Sequence, residues 1–288
     1  MTGAGGFVGR NIVRCLVDNR QEVVALYRSI RNAPLVNASR NYRFQQIQAD
    51  LREPLEIDGS FDMIIHAAGR TPRTGGAVAQ YIEENVIATR QLLDFAQHAG
   101  VGAIAYLSSI DVYGNVRVKE VDESTERINP NVYGLTKFLG EQLLADADTY
   151  ISSLTIRLPG VVGPGAKGPW LSRIVRAAKA GDDIIVRNSS ALFNNVVHID
   201  DLYRVLIAMV KRPRAGANVV TLSATNPLPI GSVVDIILKM TGSSSRVMEK
   251  RSESSSFVIS CAKVMSDYCY RARSTEVVVR SYTKENCE

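Results

Sequence analysis

The chain has 288 residues, 45% hydrophobic and 22% charged, with a net charge of +5 at neutral pH. That is enough apolar material for one large α/β domain, or a domain with a lobe, and no apolar run approaches the ~20 residues that span a bilayer. The charge is spread as single arginines, which argues against a nucleic-acid surface, and the separated Cys15, Cys261, Cys269 and Cys287 form neither a metal pair nor a disulfide framework. The start lacks the basic-then-apolar pattern of a leader, so the expected location is cytoplasmic.

Glycines at Gly3, Gly6 and Gly9 precede an apolar stripe, Ile12, Val13, Leu16 and Val17, at helical spacing. Glycines so placed turn the backbone onto a helix start, whose free amides and positive dipole end hold a pyrophosphate. A strand over 22–27 follows, as a mononucleotide-binding βαβ unit requires, but the strand expected before the glycines is missing from the numbered chain. Where an acidic residue would meet a ribose 2′-hydroxyl, Arg28 and Arg31 stand instead. They suit a 2′-phosphate, and equally fit solvated loop arginines.

A further strand is expected over 44–47, with Asp50 and Leu51 placed to meet an adenine edge. The strand over 63–66 runs into Ala67, Ala68 and Gly69, small residues that let a cofactor come close. His66 reads as a packed strand-end histidine, and three isolated histidines make no metal cluster. The loop 70–76, with Arg70 and Arg73, is either a mobile anion-binding flap or an ordinary exposed loop. A helix from about 77 to 99 and a buried strand over 101–107 come next. That strand ends in Ser108, Ser109, Ile110 and Asp111, hydroxyls and an acid where open α/β sheets bind ligands.

Tyr133 and Lys137 head the apolar run 138–144, four apart and therefore on one helix face about a turn from each other. A neighbouring ammonium favours the phenolate, so Lys137 is expected to bring the Tyr133 proton towards the range useful for proton transfer. Alone the spacing is weak. Beyond it, helices are expected near 170–178, 202–210 and 230–240, strands near 184–186 and 218–222, and polar punctuation at 242–245 and 252–256.

In order and spacing, the stretches 2–9, Asp50-Leu51, His66-Ala67-Ala68, Asn85 in 85–89, 108–114 and 133–137 resemble the extended short-chain dehydrogenases/reductases, the family of NAD(P)-dependent sugar epimerases and dehydratases. The resemblance implies an α/β fold: a doubly wound, Rossmann-like parallel sheet over 1–160, with a smaller C-terminal α/β substrate lobe over 161–288. Segments near 190–222 return to the sheet, and the active site lies in the cleft.

By the same resemblance Ser109 hydrogen-bonds the reacting oxygen, Tyr133 exchanges its proton, and Lys137 binds the nicotinamide ribose and holds the phenol's pKa down. Gly3, Gly6, Phe7, Val8, Gly9, Asp50, Leu51, Ala67, Ala68 and Asn85 would join Tyr133 and Lys137 around NAD or NADP, with Arg28 tilting the choice towards NADP. Ile110 and Asp111 stand where dehydratases carry their acids, which disfavours elimination. Gly160 and Asn194 replace an asparagine and an arginine that in many relatives hold the nucleotide diphosphate. Substrate contacts then fall to Asp111, Arg73, Asn194 and arginines such as Arg157, Arg173, Arg176 or Arg187. The expected function is 4-epimerisation or 4-keto reduction of a nucleotide sugar by a homodimer pairing the helix after Ala77 with the one from Tyr133. A reductase of a non-sugar ketone, a dehydratase and a dinucleotide sensor are the alternatives; no metal is expected.

Overall fold

The computed structural model describes residues 1–29, 44–250 and 256–287, and the chain divides into two compact units. Arg31 and the polar stretch 252–255 lie outside the described residues. The first unit holds 1–115, 127–157 and 206–220; the second holds 116–126, 158–205 and 221–288.

The first unit is built on parallel strands. Val23–Tyr27 pairs with Phe44–Gln48, and a four-stranded set runs in the order Ala217–Thr221, Ser152–Leu158, Ala103–Ser109, Ile64–His66. Ala103–Ser109 and Ser152–Leu158 are buried along almost their whole length, the pattern of strands covered on both faces. Residues 1–4 join the two sets. The Leu26 N–H donates to the Met1 carbonyl at 2.8 Å, and the Thr2 N–H donates to that of Ile65 at 2.9 Å. Met1 and Thr2 therefore occupy the position of the strand expected before the glycines.

Three helical segments cover this sheet: Phe7–Asp18, Val132–Asp146, and one running from Val78 to His98. The last is expected as one regular helix, but Glu83–Ile87 forms a π turn between the α-helical parts Val78–Ile82 and Ala88–His98. Such bulges rotate the side chains that follow them and recur at functional sites. Leu92, Leu93 and Ala96 of this helix meet Ile104 and Tyr106 of the sheet and Leu144 of the third helix, and each buried aliphatic side chain contributes roughly 1.5–3 kcal/mol.

In the second unit Gly160–Val162 pairs in parallel with Val196–His198, and Ile184–Arg187 with Val247–Lys250. Helices Trp170–Ala180, Ile230–Thr241 and Thr275–Cys287 pack together around them. Among the described residues no helix is long and apolar enough to cross a membrane.

Candidate active site

Gly3 has a φ of +64°, and a Cβ there would lie 2.6 Å from the Ala68 nitrogen; a Cβ on Gly9 would lie 2.0 Å from the Gly3 carbonyl oxygen. The turn, the helix start and the 67–68 backbone thus meet at distances only glycine permits. Gly6 caps the helix without a side chain, so the amides of Phe7, Val8 and Gly9 in its first turn have no intrahelical partner and no side-chain cap. A pyrophosphate fits such a cradle. Beside it opens a cavity of about 370 Å³, lined by Gly3, Gly5, Gly6, Ala67, Ala68, Glu84 and Ala88 together with Tyr27, Arg28, Ser29, Asp50, Leu51 and Arg52. Its volume falls in the range of small-ligand sites.

The cations in this lining are paired. Arg28 reaches Glu84 at 3.2 Å, and Arg52 holds Asp50 at 2.6 Å, which keeps that carboxyl below the usual carboxylate range. Sequence reasoning missed both Glu84 and Arg52. Glu84 is delivered by the π turn, which no periodicity announces.

The chemistry-bearing side chains come from the strand Ala103–Ser109 and the helix Val132–Asp146. Asn131 caps that helix, its side-chain oxygen accepting from the Gly134 N–H at 2.8 Å. Two glycines then bring it onto the sheet: a Cβ on Gly134 would lie 2.1 Å from the Asp111 carbonyl oxygen, and one on Gly140 2.2 Å from the Tyr106 hydroxyl. The inward face carries Tyr133, Lys137 and Glu141 at successive turns. Ser108 donates to Glu141 at 2.6 Å, which leaves Ser109 as the hydroxyl turned to the phenol; Ser109 hydrogen-bonds Tyr133 and accepts from the Asp111 N–H at 3.1 Å.

The expected lowering of the Tyr133 pKa is corrected by the structure. Burial and then the Asp111 carboxylate outweigh the Ser109 hydroxyl, and the phenol is pushed up to about 12. The Lys137 ammonium lies 4.0 Å from the centre of the Tyr106 ring, and burial lowers it to about 7 against the opposing charge of Glu141. Lys137 acts on His66, which burial first and Lys137 second bring down to about 3. Neutral His66 sits between the hydroxyls of Thr2 at 2.7 Å and Thr89 at 3.0 Å, the packed strand-end histidine the sequence suggests.

The sequence model of the NAD dependent epimerase/dehydratase family matches residues 1–222. The chain belongs to that family. It is 27% identical over 233 residues to a dTDP-4-dehydro-6-deoxy-D-allose reductase of a Streptomyces species, covering 73% of this chain and 72% of the relative. It is 26% identical to a Mus musculus UDP-glucose 4-epimerase, covering 74% and 72%. In fold it is similar to a UDP-glucuronic acid 4-epimerase from Bacillus cereus solved with NAD, with a TM-score of 0.81, 20% identity, and coverage of 100% of this chain and 98% of that one.

Not every candidate of this epimerase/dehydratase chain reaches the site. Asn85 does not line the cavity: its amide donates to the Thr136 hydroxyl at 2.9 Å and the Arg70 carbonyl at 3.1 Å, and its oxygen accepts from the Arg70 N–H at 2.6 Å. It is a tie between the π turn, the strand end and the tyrosine helix. Arg157 is no substrate contact either, because it is buried, bonded to Glu141 at 2.7 Å and to the Tyr113 hydroxyl at 2.9 Å. Asn194 spends its side chain on backbone groups of Ala224 and Ile259 at 2.8–2.9 Å, stapling the second unit. A Cβ on Gly160 would lie 3.1 Å from Pro169, so an asparagine would crowd there.

Arg70 is not part of an anion-binding flap; it holds Glu84 at 2.7 Å and the Gly75 carbonyl at 2.5 Å. Arg73 is exposed on that loop, and Asp111 is half-buried beside Tyr133. Phe7, Val8, Gly9, Tyr133 and Lys137 lie outside the cavity lining, whereas Gly3, Gly6, Arg28, Asp50, Leu51, Ala67 and Ala68 form it.

Proposed function

We propose that this protein is an NAD(P)-dependent oxidoreductase that interconverts a secondary alcohol and a ketone on a nucleotide-activated sugar, most simply as a 4-keto reductase. The observation that carries the reading is the Ser109–Tyr133 hydroxyl pair, with buried Lys137 one turn along the same helix, on a sheet whose glycine turn fits a pyrophosphate. When bound, the dinucleotide supplies or accepts the hydride. The Tyr133 phenol, protonated at neutral pH, donates its proton to the oxygen that gains the electron pair, while Ser109 hydrogen-bonds that oxygen. Lys137 provides positive charge on the same helix face as the phenolate left behind. Reduction uses the pair in this direction, and epimerisation would use it in both.

The similarity to a dTDP-sugar reductase and a UDP-sugar epimerase supports the substrate class. Arg28 in the cavity lining, at the end of the strand Val23–Tyr27 where a ribose 2′-phosphate would be met, supports NADP(H). Exposed Val78, Ile82 and Ile87 on one helix and Leu135 and Leu139 on its packed neighbour support a homodimer through these two helices. Four free cysteines fit a reducing, cytoplasmic setting. The internal use of Asn194 and Arg157 favours, as a second reading, a ketone that carries no diphosphate.

The test is a thermal-shift screen with UDP-, GDP-, dTDP- and CDP-sugars, followed by turnover of the matching 4-keto sugar with NADPH and with NADH. A stabilising sugar nucleotide and consumption of reduced cofactor are expected. Silence towards every nucleotide sugar, with turnover of a sterol-like or other non-sugar ketone, would establish the second reading instead.

A further inference from the structure

Glu84 stands at the cavity as a carboxylate shared between two arginines. One oxygen holds Arg70 at 2.7 Å, and the other lies 3.2 Å from Arg28. The two cations differ in freedom. Arg70 is 10% exposed and is also bound to the Gly75 carbonyl, whereas the Arg28 side chain is 64% exposed and lines the cavity. Arg70 thus fixes the carboxylate, and the fixed carboxylate draws on Arg28. The residue comes from the π turn Glu83–Ile87, whose position is secured by the Asn85 bonds to Arg70 and Thr136.

A 2′-phosphate meeting Arg28 would have to displace or share this carboxylate, and a negative charge a few ångströms from an incoming dianion opposes it. The neighbouring Arg52 is likewise engaged, by Asp50 at 2.6 Å and by Glu83 at 3.8 Å. Among the described residues here, Arg28, Arg52 and Arg70 face Asp50, Glu83 and Glu84. We propose that Glu84 sets the cofactor choice of this protein, its carboxylate restraining Arg28 so that a ribose 2′-phosphate gains less than a bare arginine would give it. This rests on the reading of Arg28 as the group that meets the 2′-position.

Isothermal titration of the full-length protein with adenosine 2′,5′-bisphosphate and with 5′-AMP, which differ only in the 2′-phosphate, isolates the effect. Glu84→Gln keeps a hydrogen-bonding group for Arg70 and removes the charge. The ratio of the two affinities is expected to shift towards the bisphosphate by roughly three- to tenfold, the scale of one charge contact in partly screened surroundings. Glu84→Asp, a shorter carboxylate that withdraws from Arg28, is expected to move the ratio the same way and serves if the glutamine variant does not fold. A general loss of structure would weaken both ligands together and leave their ratio in place. In an Arg28→Ala background the Glu84 substitution should shift the ratio less, because only the direct repulsion between carboxylate and phosphate is then relieved.

The outcomes separate. If Arg28→Ala leaves the bisphosphate-to-AMP ratio of the parent protein unchanged, the Arg28 reading is itself wrong. If Arg28→Ala lowers the ratio but neither Glu84 variant raises it, Arg28 keeps its role and the restraint by Glu84 is overturned.

Discussion

A Cβ on Gly134 would sit 2.1 Å from the carbonyl oxygen of Asp111, so the helix that carries Tyr133 and Lys137 rests on the turn after Ser109 with no room for a methyl group. Gly134→Ala must push this helix away from the sheet. The expected cost is about 3 kcal/mol of stability, at the upper end of overpacking, and about a hundredfold in turnover from displacement of the reacting groups. Leu135→Ala, one residue on and exposed, should change stability by less than about 0.5 kcal/mol. Urea unfolding of the two variants makes the comparison; equal midpoints would show that the contact is not tight.

Tyr133→Phe keeps the ring and removes the proton. Turnover should fall at least about a hundredfold with dinucleotide affinity unchanged. Single-turnover kinetics beside cofactor titration distinguish the two effects, and substantial remaining turnover would remove Tyr133 from the proton-transfer role.

Lys137 burdens the ligand-free fold. Its native pKa, lowered to about 7 by burial, lies below the ordinary value of 10.5, so the native state binds fewer protons than the unfolded chain between those values and stability rises with pH across them. Lys137→Met should therefore stabilise the ligand-free protein, on the order of 2–4 kcal/mol below pH 7, with the gain shrinking towards pH 10 while activity is lost. Melting temperatures across that range test the sign.

His198 behaves in the opposite sense. Burial opposes its charge, but hydrogen bonds with Asp200 at 3.2 Å and Glu285 at 3.0 Å prevail and raise it to about 9. The stabilisation is full below about pH 6.5 and is lost as pH rises through about 9. His198→Asn should remove up to about 3 kcal/mol at pH 6 and much less at pH 10. A pH-independent loss would show that the histidine contributes only packing.

Arg157 and Glu141 form a buried pair tying the tyrosine helix to the strand Ser152–Leu158. Arg157→Met alone leaves a buried carboxylate uncompensated and should cost about 3–5 kcal/mol, whereas adding Glu141→Leu should recover part of the loss. Denaturant midpoints of the single and double variants decide it; a larger loss in the double variant would mean that the pair is favourable in itself.

The glycine turn, the hydroxyl strand end and the Tyr133–Lys137 spacing were all legible in the chain, because each is a local demand of backbone geometry or helical period. The helices Ala262–Tyr268 and Thr275–Cys287 were not read, since their few apolar residues sit among charges and acquire a face only when packed. Likewise the burial of Arg157, the internal bonds of Asn85 and Asn194, and the delivery of Glu84 to Arg28 depend on partners 15 to 65 residues away.

Sequence by itself therefore determined the family and the parallel α/β class and nominated the hydroxyl and ammonium groups, all of which follow from short-range pattern. Tertiary structure alone decided which charged groups remain available to a ligand and which way the phenol's pKa moves. Both are set by desolvation and by neighbours that no spacing along the chain reveals.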